Sequence, residues 1–300
     1  MGPGLNVPAF KFSCGVETMG GNTKKLIQKY NLKLTKSLGQ NFLTDDNVVK
    51  KIVDVANVSD NDLVIEIGPG VGSMTTELAK RAKKVIAVEI DKRLIPALQE
   101  NLCEFSNVDI VNKDIMDVNI NELYDKGQYG SIKVVANLPY YITTPIIMKL
   151  LEEENDINLM VFMVQKEVAQ RMTAAPGKKD YGALSVAVQY YTKPEKAFDV
   201  PPHCFVPQPE VDSTVVKLNV NEAPPVQLIN RDFFFKVVKA AFGQRRKTLV
   251  NALHNFKVLE KTKEEIKEIL NQLGIDENAR GETLSISQFA QLSNLLFKSS

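Results

Sequence analysis

The chain is predicted to be an α/β protein: a mostly parallel sheet covered by helices on both faces, followed by a small all-helical C-terminal domain. Three observations predict this. Short β-branched runs at Leu63–Ile67, Val85–Val88, Val108–Val111, Ile132–Ala136 and Leu159–Val164 alternate with helical stretches around Met74–Arg81, Leu94–Leu102 and Thr144–Glu152, as expected of strands buried on both faces. The first strand runs into Gly68-Pro-Gly-Val-Gly72 ahead of a helix, where backbone N–H groups form a cradle that no Cβ obstructs. Beyond Asn221-Glu-Ala-Pro-Pro225, which reads as a linker, apolar residues recur only at helical spacing.

Residues Met1–Gly21 are glycine-rich, without periodicity and without the apolar core of a secretory signal. Met1-Gly2 opens like a myristoylation site, but Asn6 stands where Ser or Thr is wanted. Residues 1–33 are therefore expected to be a flexible leader, with Met19 as an alternative start. The sheet domain is expected over 34–220 and the helical domain over 226–300. Lys24, Lys25, Lys29, Lys33 and Lys36 form a basic run that taken alone reads as a solvated helix face. Asp45 or Asp46 is positioned to cap a helix whose apolar residues are Val48, Val49, Ile52, Val53 and Ala56.

Later in the chain, Leu184–Tyr190 and Thr214–Leu218 read as strands joined by a proline-rich loop, a hairpin-like addition at the sheet edge. In the helical domain, Phe234, Val237, Val238, Ala241 and Phe242 make one apolar stripe ended by Gly243. Thr262 and Glu265 form a capping box before Ile266, Ile269, Leu270 and Leu273, with Gly274 as the stop, and Ser285 with Gln288 forms another.

With a net charge of +1 over 300 residues, bulk charge gives no argument for nucleic acid, so a polyanion would need local basic clusters. Cys14, Cys103 and Cys204 are too scattered for a disulfide framework, and His203 and His254 are too few for a histidine-rich metal centre. No metal is expected, and a reduced, cytoplasmic setting fits. No apolar run reaches membrane-spanning length.

Two groups of residues carry chemistry. An acid ending the second strand of an α/β nucleotide fold bonds ribose hydroxyls, a role open to Glu89, and Asp114 after the third strand is within reach of an adenine amine. Glycines at 68, 70 and 72, with Ser73 where a dinucleotide turn has its third glycine, point to a ligand without a pyrophosphate. At the end of the fourth strand, Asn137-Leu-Pro-Tyr140 offers an amide oxygen, a backbone carbonyl and an aromatic face, with φ fixed by Pro139. That set suits a planar base bearing an exocyclic amine. His203-Cys204 has no third partner and reads as incidental.

From Leu34 to the C-terminus the chain resembles the ribosomal RNA adenine N6,N6-dimethyltransferases that use S-adenosylmethionine. The matching segments are Lys36-Ser-Leu-Gly-Gln-Asn-Phe-Leu43, Glu66-Ile-Gly-Pro-Gly-Val-Gly72, Asn137-Leu-Pro-Tyr-Tyr-Ile-Thr-Thr-Pro145 and Val200-Pro-Pro-His-Cys-Phe-Val-Pro-Gln-Pro-Glu-Val-Asp-Ser213. Ala241-Phe-Gly-Gln-Arg-Arg-Lys-Thr-Leu249 and Arg280-Gly-Glu-Thr-Leu-Ser285 point to the branch acting on small-subunit (16S-type) RNA. The resemblance implies a Rossmann-like sheet and a cofactor site of Gln40, Asn41, Leu43, Gly68, Gly70, Glu89, Ile90, Asp114, Ile115 and Asn137. It implies a catalytic set of Asn137, Leu138, Pro139, Tyr140 and Phe205, the two aromatics sandwiching the base. The leader before Gln40 would order on binding. Lys36, Arg245, Arg246 and Lys247 become candidate RNA contacts, and the partner would be the small ribosomal subunit, engaged by a monomer. The competing readings are a large-subunit adenine methyltransferase of the antibiotic-resistance type, a non-catalytic assembly or transcription factor, and, more distantly, a nicotinamide-dependent oxidoreductase.

Overall fold

The computed structural model describes residues 22–32, 40–125, 127–153, 155–256 and 261–298. Its strands are Phe42–Leu43 (β1), Asp62–Ile67 (β2), Lys84–Val88 (β3), Val108–Val111 (β4), Ser131–Asn137 (β5), Ile157–Gln165 (β6), Thr192–Val200 (β7), Phe205–Val206 (β8) and Ser213–Val220 (β9). The helices are Asn22–Lys29 (α1), Asp46–Val55 (α2), Ser73–Ala79 (α3), Ile95–Asn101 (α4), Thr143–Glu152 (α5), Lys166–Thr173 (α6) and Ala183–Tyr191 (α7), then Arg231–Gly243 (α8), Leu249–His254 (α9), Lys263–Gln272 (α10) and Ile286–Lys298 (α11). They form two compact units, Met1–Pro139 with Pro202–Glu210, and Tyr140–Pro201 with Val211–Ser300.

In the first unit four parallel strands lie in the order β4-β3-β2-β5. The chain steps outward from β2 to β3 and β4, then returns to place β5 on the other side of β2. That reversal makes a topological switch point at the carboxyl ends of β2 and β5, where sheets of this type bind ligands. Strand β2 is buried along its whole length, which explains its unbroken apolar run. Helix α2 starts where Asp45 accepts from the Asn47 and Val48 N–H groups, so Asp45 is the cap.

The stretch 22–32, expected to belong to a leader, includes α1 and packs on this unit. Leu26 is 3% exposed and joins Phe42, Val71, Leu94 and Ala97 in one apolar cluster. Burying such a side chain stabilises by roughly 1.5–3 kcal/mol. The helix is further tied down by Lys29 and Tyr30, both of which donate to the Glu100 carboxylate. One leucine among lysines hides this docking from a composition argument. Residues 1–21, together with Lys33, Lys36 and the rest of 33–39, lie outside the described residues.

In the second unit β6, β9 and β7 are antiparallel neighbours in that order. The expected pairing of Leu184–Tyr190 with Thr214–Leu218 is corrected here: residues 184–190 are helical, within α7, and the partner of β9 is β7. Helix α7 buries Leu184, Ser185, Val186, Ala187, Val188 and Tyr190. A helix buried nearly all round loses its 3.6-residue signature and reads like a buried strand. The true strand was overlooked because β7, at the end of the strand order, is largely exposed and carries Pro194 and several charges, as edge strands do.

Residues 221–225 are irregular, yet packing continues across them within this unit. Tyr190 and Tyr191 on α7 pack against Phe234 and Phe235 on α8, with Tyr191 and Phe235 stacked at 5.7 Å between ring centroids. The anticipated capping box of α10 is present, with Thr262 Oγ1 accepting from the Glu265 N–H and the Glu265 carboxylate accepting from the Thr262 N–H. Ser285 and Gln288 exchange the same bonds. Among the described residues no helix is long and apolar enough to cross a membrane.

Candidate active site

The register of the parallel strands brings the two chemical motifs together. Ile67 on β2 pairs with Ala136 on β5, so Gly68 and Asn137, the next residues, leave neighbouring strands at the same edge of the sheet. Ile67 also pairs with Val88, and Val88 with Val111. Glu89 and the turn holding Asp114 therefore emerge at that same edge.

Gly68, Gly70 and Gly72 have φ of 68°, 63° and 89°, a left-handed region in which a Cβ is strained. Their surroundings differ. A Cβ on Gly70 would stand 2.9 Å from Cε1 of Phe42, and one on Gly72 2.8 Å from Cδ1 of Leu98, whereas one on Gly68 would meet none of the described residues within 4 Å. Gly70 and Gly72 are needed for packing, and of the three only Gly68 faces space left open by the described residues, room for a ligand.

Glu89 is buried, 4% exposed, and its carboxylate is held by backbone: Oε2 accepts from the Gly70 N–H at 3.0 Å and Oε1 from the Asp91 N–H at 2.8 Å. Burial raises its pKa above the usual range, and the backbone donors only partly offset this. Each oxygen retains a lone pair for a further donor. Beneath it on β2, Glu66 is fully buried and pushed up to about 8, by burial first and by the nearby Glu89 charge, with Thr75 acting the other way. Asp114 is half-buried; its Oδ1 accepts from the Met116 N–H, while its other oxygen makes no hydrogen bond among the described residues. Ile90 is 48% exposed and Ile115 buried.

Asn137 ends β5, half-buried, and its Nδ2 donates to the Asn41 carbonyl at 3.0 Å. A carbonyl can only accept, so the amide orientation is chemically determined and Oδ1 is left as an acceptor. Asn41 is followed by β1, which pairs with β8 so that Leu43 lies opposite Phe205. The Gln40–Leu43 segment thus links the Asn137 turn with the 202–210 loop, a two-residue pairing too short to give a sequence signal. Gln40 Nε2 donates to Asp91 at 2.9 Å.

Leu138 is buried and Pro139 half-buried. Phe205 is only 1% exposed, whereas Tyr140 is half-buried, so Tyr140 is the more accessible of the two aromatics. Tyr140 Oη bonds Ser213 Oγ at 2.8 Å, a partner that sequence reasoning did not find. Cys204 is buried, its Sγ donating to Asp45 at 3.8 Å, and His203 brings no third partner to it among the described residues.

Of the candidate RNA contacts, Lys36 lies outside the described residues. Arg245 donates to the Lys179 carbonyl at 2.6 Å and pairs with Glu282 at 3.4 Å. Arg246 and Lys247, exposed in the same turn after α8, have no side-chain partner among the described residues.

Known proteins share this architecture. The sequence profile of the ribosomal RNA adenine dimethylases matches residues 31–297. A ribosomal RNA small subunit methyltransferase A of Clostridioides difficile (strain 630) is 54% identical over 91% of this chain and 94% of its own, and one of Alkaliphilus oremlandii is 52% identical over 92% and 96%. Among solved structures, a dimethyladenosine transferase from Plasmodium falciparum superposes with a TM-score of 0.71 at 28% identity, covering 84% of this chain and 95% of that one. The 23S rRNA methyltransferase ErmE gives 0.65 at 26%, covering 86% and 100%. With its glycine turn and its Asn-Leu-Pro-Tyr turn on adjacent strands of a Rossmann-like sheet, the chain belongs to the ribosomal RNA adenine dimethylase family.

Proposed function

We propose that this enzyme transfers methyl groups from S-adenosylmethionine to N6 of two adjacent adenines in a hairpin near the 3′ end of small-subunit (16S-type) ribosomal RNA, acting as a monomer. The observation that carries the reading is Asn137, its amide orientation set by Asn41, on the strand beside the open Gly68 cradle.

The residues present fit the cofactor. Gly68 admits its methionine portion past a backbone without Cβ, and the buried Glu89 carboxylate takes the ribose hydroxyls on its remaining lone pairs. The second Asp114 oxygen takes the adenine amine, between Ile90 and Ile115. Gln40, Asn41 and Leu43 approach from the N-terminal side, and Gly70 contributes by holding Glu89 and Phe42 in place. When bound, S-adenosylmethionine supplies an electrophilic methyl group on a sulfonium.

Adenine N6 is a poor nucleophile because its lone pair is delocalised into the ring. Asn137 Oδ1 and the Leu138 carbonyl accept hydrogen bonds from its two N–H groups, which draws the nitrogen toward tetrahedral geometry and aims its lone pair; the one proton that methylation releases passes to solvent. Pro139 fixes the turn, so these acceptors need no reorganisation, and orientation with electrostatic preorganisation carries the catalysis. Tyr140 stacks on the base, an interaction worth roughly 1–3 kcal/mol, after the base has left its own stack. Phe205, on β8 opposite Leu43 and buried, supports the Gln40–Leu43 segment.

The choice of small subunit is supported by the identity to the small-subunit enzymes; the fold alone is shared with a 23S enzyme. Labelled S-adenosylmethionine, offered with unmethylated small or large subunits and followed by mapping of modified bases, tests it. Label in two adjacent small-subunit adenines is expected, and label in large subunits overturns the assignment.

A further inference from the structure

Tyr141, the residue after the base-binding turn, is the most exposed large apolar side chain among the described residues, at 57%. Its ring makes no hydrogen bond or ring contact with them. A lone exposed tyrosine is ordinary, but this one has a particular setting. The Tyr140–Ser213 hydrogen bond joins the turn to the first residue of β9, and the loop immediately before it carries Val211, 46% exposed. Two of the five exposed large apolar side chains among the described residues therefore flank a single hydrogen bond.

We propose that Tyr141, with Val211 across the Tyr140–Ser213 bond, is a stacking platform for the base adjacent to the target adenine. The proposal rests on the function proposed above and adds a residue that selects the adenine pair. Splaying one adenine out of the RNA removes a stacking neighbour from the next base, and an exposed phenol ring one residue beyond Tyr140 replaces it. Stacking on an aromatic face tolerates any base but favours purines by area. The waiting adenine is then held in line for its own turn.

The test measures methyl transfer from labelled S-adenosylmethionine into unmethylated small subunits by the wild type, Tyr141→Ala and Tyr141→Phe, with both adenines quantified separately. Tyr141→Ala is expected to raise KM for subunits about tenfold, the scale of one missing stack, with a much smaller change in kcat. Cofactor affinity and Tm should stay at wild-type values, and methyl groups should be distributed unequally between the two adenines. Tyr141→Phe, which keeps the ring, should restore the wild-type pattern. Wild-type KM and distribution in Tyr141→Ala overturn the proposal, as does a Phe variant as impaired as Ala. A wild-type protein that methylates no small-subunit adenine overturns the underlying function and this proposal together, so the two failures are distinguishable.

Discussion

Asn137 donates its side-chain N–H to the main-chain carbonyl of Asn41, 96 positions earlier in the chain. This bond fixes the orientation of the Asn137 amide and leaves Oδ1 as the acceptor proposed to meet the adenine amine. Asn137→Ala should fold, with a stability loss near 1 kcal/mol for the bond, while single-turnover methyl transfer falls about 10²- to 10³-fold, the scale of removing one preorganised partner. Asn137→Asp should fare no better, because a carboxylate cannot donate to the Asn41 carbonyl. Turnover near the wild-type rate in either variant would refute the assigned role.

The glycines should separate ligand binding from stability. Gly68→Ala places its methyl in open space. It should cost only about 1–2 kcal/mol for the left-handed backbone while strongly weakening binding of S-adenosylmethionine by calorimetry. Gly70→Ala drives a methyl against the buried Phe42 ring and should lose more stability in urea unfolding. Equal stability losses with unaltered cofactor affinity in Gly68→Ala would contradict the cradle.

Glu66 makes stability depend on pH. Its carboxyl is raised to about 8 in the folded chain against an ordinary 4.5, so between those values the folded state holds a proton that the unfolded state has released. The unfolded chain binds fewer protons there, and stability therefore falls as pH rises from about 4.5 to 8. Glu66→Gln, which remains neutral, should flatten this slope in urea unfolding series taken across the range. A slope identical to wild type would show that Glu66 ionises at its ordinary pKa.

The basic turn after α8 contains two kinds of residue. Replacing Arg246 and Lys247 with Ala should weaken RNA binding and reduce the salt slope of log K by roughly 0.7–0.9 for each phosphate left unneutralised, with cofactor affinity intact. Arg245→Ala should instead loosen the loops around Lys179 and Glu282 that it ties, detectable as faster amide exchange there. An unchanged salt slope in the double variant would remove these two side chains from the RNA interface.

Much of the first unit was legible because its physics is local: buried parallel strands are continuous β-branched runs, and the glycine turn announces its φ values. The second unit was harder. The burial of α7 on nearly all sides erased its period, and β7, being an exposed edge, resembled a loop. The site was legible as residue types, since Glu89, Asp114 and Asn137 each follow a recognisable strand. Its assembly was not, because the Asn41–Asn137, Leu43–Phe205 and Tyr140–Ser213 pairings span long sequence separations and leave no periodic trace.

The pairing of β2 with β5 also bears on when the enzyme can exist. Gly68 and Asn137 are neighbours only because a strand completed at residue 67 waits for one completed at residue 137. During synthesis at about 5–20 residues per second, the interval between those strands lasts roughly 4–14 seconds. Any shorter nascent chain carries the glycine turn with no Asn-Leu-Pro-Tyr turn beside it, so the two halves of the candidate site first meet only after residue 137 has been made.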